Sequence, residues 1–229
     1  HPLHKKKKVE IKFMTAQEED ILSSETLVEE GVAVTKMIES IIVDKSIEID
    51  SLLACDRDAI LVAARITGYG ADYDANVVCT KCYQSTKFTF DLNKKNINFK
   101  LSNKKTLAKQ KLKFDSDRQV LICHLPASNI EVEIRPITNI DNVVGSSEFK
   151  FKMVTEYLSN LIVKAAGFED PSIIKSFVYT MPAGDSKLLR NIASEYLPSY
   201  DVNQQFVCSH CGHEEKREVP LNAGFFWPE

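Results

Sequence analysis

Two pairs of cysteines have the spacing of metal ligands: Cys79 and Cys82, then Cys208 and Cys211. Two residues separate the members of each pair. That spacing lets one tight turn present two thiolates to one ion, and one turn supplies half of a tetrahedral site. The two turns belong to a repeat. "NVVCTKCYQSTKFTFDLN" (76–93) aligns without a gap on "QFVCSHCGHEEKREVPLN" (205–222), so that Cys79 meets Cys208, Cys82 meets Cys211, Leu92 meets Leu221 and Asn93 meets Asn222. Each pair lies 129 positions apart, as from 79 to 208. Both copies read as strand, Cys-x-x-Cys turn, strand, which is half of a ribbon used twice.

This pattern predicts one structural Zn²⁺ per chain, held by Cys79, Cys82, Cys208 and Cys211. The competing readings are four free or buried thiols, and a thioredoxin-like redox pair. A redox pair should open a helix after a strand, and here a second strand follows. His210 and His213 are near enough to substitute as ligands, but are read as exposed or behind the ligands. Cys55 and Cys123 are read as small core residues. Gly212 sits just after the second cysteine, where a positive φ is expected; Tyr83 takes that place in the first turn and predicts some strain. Four thiolates fill the zinc shell and leave no open position for catalysis. The sequence has no His-Glu-x-x-His, Gly-x-Ser-x-Gly or phosphate-binding glycine loop. A non-enzymatic protein without a small-molecule substrate is therefore expected.

The flanking segments must position these turns. Thr15-Ala-Gln-Glu18 is a capping-box pattern, so a helix is expected from about Ala16. "VAVTKMIESIIV" (32–43) has apolar residues at helical spacing. "DRDAILVAARITGYG" (56–70) reads as a buried helix closed at Gly68 or Gly70. "QVLICHL" (119–125) and "IEVEIRP" (130–136) alternate as strands. "FKFKMVTEYLSNLIVKAAG" (149–167) reads as one amphipathic helix ending at Gly167, followed by helices over 171–181 and 182–198. Strands at 202–208 and 214–220 complete the second half-ribbon. The fold class predicted is α+β: a split zinc ribbon joins half-ribbons from the two ends, with packed helices and a small β insertion. The divisions expected are 1–75 (N-terminal strand and helices), 76–93 (first half-ribbon), 94–136 (basic loop and β insertion), 137–200 (helices) and 201–229 (second half-ribbon and aromatic tail).

With 229 residues, 44% of them hydrophobic, the chain can bury a core as one domain or two small ones. A net charge of −3 does not suit a general nucleic-acid binder. The longest clear apolar run, Ala59 to Ala64, is six residues, far from a membrane span. "HPLHKKKKVE" has the charges of a signal peptide without the apolar stretch. The first residue is His1 rather than Met, so residues are expected to precede it. Without a secretory signal, metal binding is preferred to a disulfide framework.

Several segments resemble, in order, the T4-like bacteriophage baseplate hub protein family: "MTAQEEDILSS" (14–24), "AILVAARITGYGADYD" (59–74), "VVCTKC" (77–82), "MPAGDSKLLR" (181–190) and "CSHCGHEEKREVPLNAGFFWP" (208–228). The likeness covers nearly the whole chain and is weakest over 94–125. The opening "HPL" looks like the interior of longer members. The resemblance implies a structural subunit or assembly factor in the central baseplate hub of a contractile-tailed phage. It implies other hub and tail proteins as partners, and a place in the virion tail after assembly in the host cytoplasm. The alternative is a zinc-ribbon nucleic-acid-binding regulator. The mixed charge of "GHEEKRE" argues against that, because such a ribbon needs a basic, aromatic face.

Three other features carry expectations. Phe225, Phe226 and Trp227 are predicted to be buried, either folded back on the chain's own groove or docked in a partner subunit. From Lys94 to Lys113 there are eight lysines and no acid. That stretch is a solvated loop, or a contact with an acidic neighbour or DNA; its sign is opposite to that of the helix around Glu18, Glu19, Asp20, Glu29 and Glu30. Arg65 lies in an apolar helix and needs a partner, for which Asp72 or Asp74 is expected.

Overall fold

The computed structural model describes residues 3, 6, 8–93, 98–100, 112–138, 153–221 and 223–227. Most of the lysine-rich stretch lies outside them. The helices are α1 (Ala16–Ser23), α2 (Glu25–Glu29), α3 (Ala33–Ile41), α4 (Ala54–Tyr69), α5 (Met153–Leu161), α6 (Pro171–Thr180) and α7 (Ala183–Tyr196). The strands are β1 (Asp72–Val78), β2 (Ser85–Asp91), β3 (Asn98–Lys100), β4 (Lys113–Asp115), β5 (Val120–Leu125), β6 (Ile130–Ile134), β7 (Ile162–Ala165), β8 (Ser199–Asp201), β9 (Asn203–Val207) and β10 (Glu214–Glu218). Helices and small antiparallel sheets make this an α+β protein, as the sequence predicts. The chain forms two compact units: His1–Phe99 with Tyr200–Glu229, and Lys100–Ser199.

In the first unit α1 begins where the capping pattern places it. The Glu18 carboxylate turns back to accept from the Thr15 N–H at 2.8 Å and the Thr15 hydroxyl at 2.7 Å. This carboxylate is fully buried, and it also accepts from the Ser40 hydroxyl and pairs with Lys12 at 3.2 Å. It thereby ties α1, α3 and the entering chain together. Helix α3 buries Met37, Ile38 and Ile41 on one face. Helix α4 buries Ile60, Leu61, Val62 and Ala64 in the same core. Gly70 ends α4 at φ +87°, a conformation that an L side chain resists, and the chain turns at once into β1. Tyr73 and Phe90 carry the β1–β2 hairpin into the same core, and Phe225 and Phe226 join it from the far end of the sequence.

The second unit is a four-stranded antiparallel sheet, in the order β4-β5-β6-β7, with α5, α6 and α7. Leu121, Cys123, Leu125, Val132 and Ile134 from the sheet share one core with Leu158, Leu161, Leu189 and Ala193 from the helices. Asp185, near the start of α7, is buried and accepts from the Ala127 and Ser128 N–H groups at 3.0 and 2.8 Å. It fixes the β5–β6 turn to the helix. These donors outweigh its burial and hold its carboxyl below the ordinary value. Helix α6 is capped by Asp170, which accepts from the Ser172 and Ile173 N–H groups and precedes Pro171 in the first turn.

One predicted helix is corrected. The amphipathic segment expected to run to Gly167 stops being helical at Leu161, and Ile162–Ala165 forms β7. There Val132 faces Ala165, Glu133 faces Lys164 and Ile134 faces Ile162. Ile162 and Val163 are β-branched and suit a strand. Pairing with the free edge of β6 satisfies backbone groups that a further helical turn would have satisfied itself.

Candidate metal centre

The two half-ribbons superimpose in register as well as in sequence. In the β1–β2 hairpin Val78 faces Ser85, Val77 faces Thr86 and Asn76 faces Lys87. In the β9–β10 hairpin Val207 faces Glu214, Phe206 faces Glu215 and Gln205 faces Lys216. Each of these residues is displaced by the repeat distance from its counterpart. The turns repeat the same backbone bonds. Tyr83 N–H donates to the Cys79 carbonyl at 3.0 Å, and Gly212 N–H to the Cys208 carbonyl at 2.9 Å. Cys79 N–H donates to the Gln84 carbonyl at 3.1 Å, and Cys208 N–H to the His213 carbonyl at 2.9 Å. Tyr83 has φ +59° and Gly212 φ +67°. The first turn therefore keeps the left-handed geometry with a tyrosine in the place of glycine.

The hairpins meet through residues that the cysteine spacing did not single out. Phe88 and Phe206 stack edge to face, with ring centres 5.3 Å apart, beneath the cysteines. Thr80 donates to Glu215 from its hydroxyl at 2.7 Å, and the Arg217 guanidinium donates to the Val78 carbonyl. The buried side chain of Gln204 bonds both the N–H and the carbonyl of Asp91, each at 3.1 Å, as another peptide group would. Ala75 stands in the equivalent place of the first hairpin, so this contact breaks the repeat.

These contacts bring Cys79, Cys82, Cys208 and Cys211 together with all four Sγ atoms within 4.8 Å of one another. Two cross-hairpin pairs, Cys79 with Cys211 and Cys82 with Cys208, are 3.7 Å apart. A tetrahedron with Zn–S bonds of about 2.3 Å has edges of about 3.8 Å. Four soft sulfur donors at that spacing fit Zn²⁺. Among the described residues this cluster contains no histidine; His210 is exposed and His213 half-buried. Cys55 and Cys123 are buried elsewhere in the two cores, as expected, and burial pushes both thiols up to about 12.

The four thiols act on one another. Burial opposes ionisation of Cys208, but the N–H groups of Cys211 and His210, aided by Cys82 and Thr86, bring it down to about 6. The His213 N–H favours the Cys211 thiolate, yet loss of hydration and the thiols of Cys82, Cys208 and Cys79 push it up to about 12. One thiolate in the cluster thus suppresses another. A bound divalent cation removes that conflict, because a coordinated thiol ionises outright.

The aromatic tail packs on its own chain in part. Phe225 and Phe226 are buried, with the Phe225 ring 4.9 Å from Tyr73 and the Phe226 ring 6.4 Å from Tyr69. Trp227 is not folded back with them: it is 40% exposed. These three residues follow one another on and just after a 3₁₀ turn, where successive side chains point in different directions and cannot all enter one groove. The expected partner of Arg65 is corrected. Neither Asp72 nor Asp74 is its partner: its Nε donates to the Phe225 carbonyl at 3.1 Å, and its guanidinium lies over Tyr69 and Tyr73, at 4.8 and 5.8 Å from the ring centres.

Among the described residues no helix is long and apolar enough to cross a membrane. No curated protein and no solved structure matches the chain. A family model described as T4 bacteriophage base plate protein matches residues 2–227. That span takes in both units, both Cys-x-x-Cys turns and the buried tail, and such a family implies a place in the phage tail among other tail proteins. The chain belongs to the T4 bacteriophage base plate protein family.

Proposed function

We propose that this protein is a non-enzymatic subunit or assembly factor of the central baseplate hub of a contractile-tailed phage. We further propose that one structural Zn²⁺ per chain, held by Cys79, Cys82, Cys208 and Cys211, closes its first unit. The family match over 2–227 is the observation that carries the baseplate role. The cluster of four thiols supports the metal. The ion would supply cross-linking rather than chemistry, since four protein sulfurs complete a structural zinc shell. Other hub and tail proteins are the partners in this reading, with assembly in the host cytoplasm. Trp227, half-exposed beside the buried Phe225 and Phe226, is the tail residue with most surface left for such a partner.

Mass spectrometry of purified tails beside purified assembly intermediates tests this role. A hub subunit is present in finished tails, and an assembly factor is present in intermediates and lost from tails. Absence from both contradicts the proposal.

A further inference from the structure

All four candidate ligands lie in the first unit, although they come from opposite ends of the chain. The whole of Lys100–Ser199 intervenes, and it has its own core with no ligand in it. The first unit is therefore assembled from two stretches that the backbone joins only through another folded body. Its C-terminal stretch is poorly equipped to stay in place alone. The β9–β10 hairpin is two-stranded, with five residues in each strand. Isolated hairpins of that kind are marginal in water. The tail beyond it is a single 3₁₀ turn, Ala223–Phe226. A polar tie from it to α4 is the bond from Arg65 to the Phe225 carbonyl, and the buried Arg65 Nη1 has no hydrogen-bond partner among the described residues.

We propose that the metal centre is a latch acting on the first unit alone. With metal bound, residues 203–227 are held against α4 and the β1–β2 hairpin, and the Phe225–Phe226 plug fills the core beside Tyr69 and Tyr73. With metal removed, this segment releases, α4 loses the plug, and the second unit stays folded. The inference rests on the zinc reading above. The connection from metal to plug is short and continuous. Cys211 and Gly212 lead through His213 into β10, then Val219 is buried with its N–H on the Val202 carbonyl at 3.3 Å, and six residues later the plug begins. Joining segments so far apart in sequence carries a loop-closure cost, which a four-ligand cross-link offsets.

Hydrogen exchange on the full chain, read by mass spectrometry under reducing conditions, tests this. The zinc-loaded protein is compared with the same protein after a zinc chelator, with metal content measured in both. Exchange is expected to rise about tenfold or more in β9–β10, the tail and the C-terminal turns of α4, and to stay unchanged in β5, β6 and α7. Cys208→Ser should give the same map without chelator. Metal loss with an unchanged map in the tail and α4 overturns the latch while leaving the zinc reading intact. Equal loss of protection in β5, β6 and α7 also overturns it, because the two units would then unfold as one. Zinc-exposed, reduced protein that holds no metal overturns the zinc reading itself.

Discussion

The Nε of Arg65 donates to the carbonyl of Phe225, 160 residues further along the chain. Arg65 is 3% exposed, and among the described residues its guanidinium has aromatic faces rather than a carboxylate beside it. The tail thus supplies both the acceptor for a buried cation and two rings of the first unit's core. Phe225→Ala should lower the unfolding free energy by about 3–5 kcal/mol, the usual cost of emptying a buried aromatic site. Deleting 225–229 should lower the melting temperature of the isolated protein at least as far. A deletion that melts like the parent would mean that the plug contributes nothing to the fold.

Glu18 gives the pH dependence a sign. Burial raises its pKa, but Ser40, Thr15 and Lys12 together bring it from 4.5 down to about 2. The folded value lies below the unfolded one, so the stabilisation is complete above about pH 4.5 and is lost as pH falls toward 2. Glu18→Gln should destabilise the protein by about 1–3 kcal/mol near neutral pH, as a buried hydrogen-bonded charge is removed. The difference from wild type should shrink as the pH is lowered below about 4.5. Urea unfolding across that range measures it, and a difference that grows in acid would contradict the assignment.

The two Cys-x-x-Cys turns differ in one residue whose cost can be measured. Tyr83 holds φ +59° and is 78% exposed, so it strains the backbone and has little packing to lose. Tyr83→Gly should leave stability unchanged or raise it by up to about 1 kcal/mol. Gly212→Ala should lower it by about 1 kcal/mol, although the added Cβ meets nothing within 4 Å, because φ is +67° there. Thermal melts of the metal-loaded variants decide this. A loss of stability in Tyr83→Gly, or none in Gly212→Ala, would show that the turns are not equivalent.

The ribbon was the most legible part of the sequence, because its signal is a repeat. The gap-free alignment of 76–93 on 205–222 implied the hairpins and the pairing of the turns, and even the strand register follows it. The start of α1 was legible from Thr15 and Glu18, because a cap is a local interaction. The partner of Arg65 is not legible, for the opposite reason. Its partner is a backbone carbonyl, which every residue possesses, and nothing in the sequence marks the one at Phe225. The role of Asp185 is hidden on the same ground, since its donors are the N–H groups of Ala127 and Ser128. The strand Ile162–Ala165 was hidden because a short apolar run suits helix and buried strand alike, and only the edge of β6 decides between them.

One ion, in this reading, joins the two hairpins through four thiolates. Native mass spectrometry of the purified, reduced protein tests it most directly, with Cys79→Ser and Cys208→Ser beside the wild type. One Zn²⁺ per wild-type chain is expected, with loss of tight binding from either variant, since each removes a ligand from a different hairpin. Two ions per chain, none, or a single ion retained when Cys208 is replaced would contradict it.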